Sequence, residues 1–124
     1  MTDTNDQSYK NFAEAYSAAG GDPEAPYAAH GYDVAFLMAL AIEKAGSADR
    51  GKISAALRAV ASPPGRVIRP GEWAKAKAAI ASGQEVNYEG AAGVNDFDEN
   101  GDVTGLFSLN VVGPDGKWSR SMIK

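Results

Sequence analysis

The sequence contains no cysteine, a single histidine and no cluster of lysine or arginine. Without cysteine there is no disulfide, no thiolate nucleophile and no cysteine-based zinc site. Without a basic patch, and with a formal net charge of −4, a nucleic-acid or anionic-membrane partner is disfavoured, because such binding needs concentrated positive charge. The longest apolar run, residues 34–42, is far too short to span a bilayer. Residues 1–6 are polar and carry no signal-peptide pattern.

What is present fits a globular chain. Its 124 residues are 44% hydrophobic and 23% charged, which suits one domain over residues 1–124. Tyr9, Phe12, Ala13 and Tyr16 share one face of a helix expected over 7–19, stopped by Gly20-Gly21. After a loop with two prolines, Pro23 and Pro26, a second helix is expected over 33–45. Its apolar residues point to nearly every side, so it should be buried all round, and Gly46 sits where a terminating glycine belongs. A third helix, over 49–61, is capped by Ser47 or Asp49 and broken at Ser62-Pro-Pro-Gly65. Residues 66–69 read as extended. Pro70 opens a fourth helix, 70–82, ended by Gly83. Residues 84–102 are extended and rich in loops. Alternation through Phe107, Leu109 and Val111, a Gly113-Pro-Asp-Gly116 turn, and alternation through Trp118, Arg120 and Met122 predict an antiparallel hairpin, 106–112 with 117–122. The 33–45 helix needs cover on every side. Either the other helices bundle around it, or a sheet absent from this chain covers it.

Each motif that carries chemistry has a plainer alternative. Asp96-Phe-Asp98-Glu-Asn100-Gly101-Asp102 matches the opening of a calcium loop, but position twelve is Phe107 where a bidentate Glu is required, and helices do not flank it. The plainer reading is a turn whose Asx side chains cap their own backbone. Glu85, Glu89, Asp96 and Asp98 cluster in sequence, which reads as a solvated acidic surface. His30 with Asp33 is too few ligands for a metal, and no nucleophile-elbow sequence supports a hydrolase built on His30. The glycine pairs do not match either phosphate-binding fingerprint. Trp73, Tyr88 and Trp118 read as packing aromatics. Tyr27 stands at a loop-to-helix junction, where ligand-facing residues often occur. Its alternative is a staple on the helix that follows.

Three stretches resemble the C-terminal region of periplasmic solute-binding proteins of the leucine/isoleucine/valine-binding family, the type I periplasmic-binding fold. They are Tyr27-Ala-Ala-His-Gly-Tyr-Asp33 leading into residues 37–46; Ile53 to Val60 followed by Pro70-Gly-Glu-Trp-Ala-Lys75; and Asn87-Tyr-Glu-Gly90 with Asp96 to Asp102, then the hairpin. The resemblance implies an α/β fold of two lobes, of which this chain is an incomplete C-terminal segment, with the missing N-terminal part or self-association covering the apolar helix. It implies a non-catalytic protein without cofactor or metal. Such a protein binds an amino acid or related small acid or amide in the periplasm and delivers it to an ABC-transporter permease. By the same resemblance Tyr27 faces the ligand cleft, with His30 as its neighbour. The competing expectations are a stand-alone α+β protein-interaction module and, last, a small hydrolase using His30.

Overall fold

The computed structural model describes residues 2–105 and 107–123. Four helices come in chain order, α1 (Gln7–Ala18), α2 (Ala28–Ala45), α3 (Arg50–Ala61) and α4 (Trp73–Ala81). The strands β1 (Arg66–Ile68) and β2 (Val86–Tyr88) flank α4, and β3 (Phe107–Val112) and β4 (Trp118–Ile123) end the chain. Among the described residues, no helix is long and apolar enough to cross a membrane.

The caps explain the helix limits. Asp6 accepts from the Ser8 N–H to start α1, and Asp49 accepts from the Lys52 N–H to start α3, each satisfying a first-turn donor. Gly46 takes φ 55° at the end of α2, and its N–H closes the last turn on Ile42 and Glu43. This is the left-handed cap that glycine adopts without strain.

Two helix starts differ from the sequence expectation. Helix α2 begins at Ala28, five positions before Asp33. The strong helix formers Ala28 and Ala29 extend it backward, and Asp33 lies in its second turn. Helix α4 begins at Trp73 and not at Pro70. Gly71 takes φ 84° and Glu72 accepts from the Arg69 N–H at 2.8 Å, so residues 69–72 form a turn, with Pro70 buried.

The extended 66–69 segment has a partner that the sequence did not reveal. Strands β1 and β2 pair in parallel, with Arg66 opposite Val86 and Ile68 opposite Tyr88, and α4 is the crossover between them. The main core lies here. Leu37, Leu40 and Ala41 of α2 meet Val60 of α3, Ala76 and Ala79 of α4, Ile68 and Tyr88. A smaller cluster joins Phe12 of α1 to Ala29 and Ala91. A run of rings links the two: Phe12 to Tyr32 (5.2 Å), Tyr32 to Phe36 (5.8 Å) and Phe36 stacked on Tyr88 (4.7 Å).

Two expectations about burial need correction. Helix α2 is not buried all round: Val34, Met38 and Ile42 are 64%, 42% and 47% exposed. They recur every four residues and so form one stripe, while Asp33, Leu37, Leu40 and Ala41 take the covered face. The hairpin forms, with β3 antiparallel to β4 and Val112 opposite Trp118, but Phe107, Leu109 and Val111, whose alternation with Ser108 and Asn110 reads as a half-buried strand, are exposed. The hairpin strands run 107–112 and 118–123, and Leu106, the expected first strand residue, lies outside the described residues.

Candidate functional site

Two cavities meet at the first turn of α2. The first, of about 890 Å³, lies between residues 2–5, Tyr9 and the loop and helix start at 23–30. The chain reaches it through Pro23 and Pro26, whose fixed φ stiffens the loop. Its position is further fixed by Tyr9, whose hydroxyl donates to the Pro23 carbonyl at 3.3 Å.

Tyr27 is the residue this geometry singles out. It holds φ 63°, the left-handed region, and among the described residues no other non-glycine does so. A bulky side chain there is strained. The ring is 80% exposed, so burial of its own surface does not repay that strain. It meets the His30 ring edge-on at 5.9 Å. The structure therefore brings the two sequence-predicted site residues, Tyr27 and His30, together on the wall of one cavity. The staple alternative for Tyr27 requires a packed ring, which its exposure does not provide. At Tyr27, α2 starts without a side-chain cap. The Ala28 N–H is taken by the Ala25 carbonyl at 3.1 Å, and the carboxylates Asp3 and Glu24 also line the cavity, so the positive end of the helix dipole there suits a neutral carbonyl oxygen better than a free carboxylate.

Behind this wall lies a polar anchor that sequence reasoning passed over. Asp33 is 3% exposed. Its carboxylate accepts from the Tyr88 hydroxyl (2.8 Å), the Ala91 N–H (2.7 Å) and the Ala92 N–H (2.8 Å). Desolvation pushes its carboxyl above the usual 3.8, and those three donors, with the charge of His30, draw it part of the way back. The anchor fixes α2 to the turn after β2 and so sets where Tyr27 and His30 stand. Gly90 is required in that turn, because a Cβ there would lie 2.5 Å from an Asp33 carboxylate oxygen. Burial of Tyr88 and the neighbouring Asp33 charge push the Tyr88 hydroxyl pKa well upward, so the hydroxyl keeps its proton and donates it to Asp33. The sequence signal was available: Asp33, Leu37 and Leu40 share the buried face of α2.

The acidic 96–102 segment behaves as a turn. Asp98 accepts from the Asn100 N–H (2.8 Å) and the Asp102 N–H (2.9 Å), and the Asp102 and Asn100 backbone bonds hold its carboxyl below the usual range. Glu85 pairs with Lys44 and Glu89 with Arg69. Among the described residues no group of three or more acidic, histidine or cysteine side chains is placed to hold a metal ion.

Comparison with known proteins agrees with a ligand-binding reading of this geometry. The profile of a family described as "Receptor family ligand binding region" matches residues 1–113. A curated relative, the chemotactic signal transduction system substrate-binding protein BasB of Halobacterium salinarum, is 35% identical over 71 residues. Those residues are 57% of this chain and 17% of that protein, so the chain spans well under two thirds of the relative's length. No solved structure matches.

Proposed function

The chain belongs to the receptor family ligand binding region family, and from that premise we propose that it is the C-terminal part of a non-catalytic solute-binding protein. The observation that carries the reading is Tyr27. A strained, exposed ring beside His30 on a cleft wall is a poor contributor to stability and a good contact for a ligand. The start of α2, which has no side-chain cap, suits an amide or other carbonyl oxygen in a cleft that Asp3 and Glu24 also line. From the family resemblance we read the solute as an amino acid or a related small acid or amide. The branched-chain transport branch of the family is the assignment that the three resembling stretches favour.

In this reading the parent protein works in the periplasm and passes its solute to an ABC-transporter permease. The name of the relative adds a chemotactic signal transduction system as a second destination. Two features support an incomplete domain. The exposed stripe of Val34, Met38 and Ile42 is what an absent layer would cover, and a lone two-stranded parallel pair is rare outside a larger covered sheet.

The test is calorimetric titration of the parent protein, with both lobes present, against a panel of amino acids and their amides. The expected result is saturable binding of at least one solute, lost in Tyr27→Gly, which removes the ring while suiting the positive φ. A panel that gives no saturable heat, or binding untouched by that substitution, would sink the reading.

A further inference from the structure

The second cavity, of about 420 Å³, lies between the first turn of α1, His30, the 89–95 turn and residues 103–105. Ser8 lines it. This residue is 1% exposed, and its hydroxyl has no hydrogen-bond partner among the described residues. A buried hydroxyl left this way is unfavourable, and a ligand that bonds to it removes the penalty.

The charges around Ser8 say which ligand. Asp3 and Asp6 line the same cavity. Each commits one carboxylate oxygen to a backbone N–H, Asp3 to Asn5 at 2.9 Å and Asp6 to Ser8 at 2.7 Å, which leaves each a second oxygen. Glu89, a third carboxylate in the lining, is balanced by Arg69 at 3.1 Å. Among the described residues no lysine or arginine lines the cavity, His30 lies at its border, and Ala91, Ala92 and Val94 give it an apolar side.

We infer that this cavity binds a small primary amine. The ammonium faces Ser8, Asp3 and Asp6, and a short carbon chain lies along Ala91, Ala92 and Val94. An ammonium group has three donors and no acceptor. The hydroxyl and the two carboxylates are three acceptors. A carboxylate ligand would instead meet two like charges. This inference goes beyond the proposed transport role and concerns a cavity that Tyr27 does not line, although Asp3 and His30 border both.

The test is an NMR titration of the ¹⁵N-labelled chain with n-butylammonium chloride and, separately, with sodium butyrate. Saturable amide shifts at Ser8, Ala91 and Ala92 are expected with the amine and not with butyrate. Asp6→Asn keeps the helix cap, since Asn caps as well as Asp, but removes the charge, and should weaken binding about tenfold. Ser8→Ala should weaken it in the same direction. The inference fails if the amine gives no saturable shifts, as it would for a cavity that holds only water. It fails equally if butyrate binds as well, if the shifts fall only at residues 26–30, or if either substitution leaves the affinity unchanged.

Discussion

The Asp33 carboxylate and the Tyr88 hydroxyl, 55 positions apart in the chain, are joined by a buried 2.8 Å hydrogen bond. That bond ties the second turn of α2 to the end of β2, and the same carboxylate holds the following turn through two backbone N–H groups.

Replacing Asp33 should therefore be costly in a specific way. Asn has one acceptor oxygen where Asp33 uses two, so Asp33→Asn leaves the Ala91 or Ala92 N–H facing an amide donor. A buried donor without a partner costs about 1–3 kcal/mol, and urea unfolding should show a loss of that size. Tyr88→Phe removes one donor and leaves the two backbone bonds in place, so its loss should be smaller. Equal losses would contradict the account.

Acid titration should separate two carboxyls by sign. Desolvation raises Asp33 above 3.8, so the folded chain binds this proton more tightly than the unfolded chain. Its contribution to stability then falls as pH rises from 3.8 through the folded value, and is constant above that. At Glu72, desolvation works upward but is outweighed by hydrogen bonds from Lys75 and the Arg69 N–H and by both positive charges, so its carboxyl lies below 4.5. Its contribution is fully present above 4.5 and is lost as pH falls through the folded value. Carboxyl ¹³C titration should place the two midpoints on opposite sides of their ordinary values, and a reversed order would refute both assignments.

Ser8→Ala should stabilise the chain. The substitution removes a buried hydroxyl without a partner and places the strongest helix former in the first turn of α1, and the two effects together are worth about 1 kcal/mol. A rise in the urea midpoint together with weaker amine binding is the expected pairing. A fall in the midpoint would mean that the hydroxyl is satisfied in the folded protein.

The α2 stripe should make the isolated chain adhesive. Contiguous exposed apolar residues favour association, so the chain should bind the dye ANS and show more than the monomer mass in light scattering. The triple substitution Val34→Thr, Met38→Gln, Ile42→Gln should reduce both, with a stability change of about 0.5 kcal/mol or less per exposed position. A monomeric wild-type chain that binds no dye would count against an absent covering layer.

Much of the helical half was legible because glycine and proline punctuate it. Gly20-Gly21, Gly46, the Ser62–Gly65 breaker and Gly83 each fall within a few residues of a helix end. The start of α2 was missed because the unbroken apolar run begins only at Val34. The role of Asp33 was hidden because its three donors lie 55 to 59 residues away, and nothing local announces them. The β1–β2 pairing was missed for a similar reason: three-residue strands are too short to show a period of two, and their pairing is non-local. Of the candidate site, the position of Tyr27 at the junction of a proline loop and a helix was legible, whereas Ser8 looks like any polar residue in a first turn until its burial is seen.

The central claim is that these residues are the C-terminal part of a solute-binding protein. The DNA immediately upstream of the codon for Met1 tests it most directly. The account predicts an open frame continuous with this one, encoding a signal peptide and the βα-rich remainder of two lobes. An in-frame stop codon close upstream would contradict it, and would favour a stand-alone interaction module.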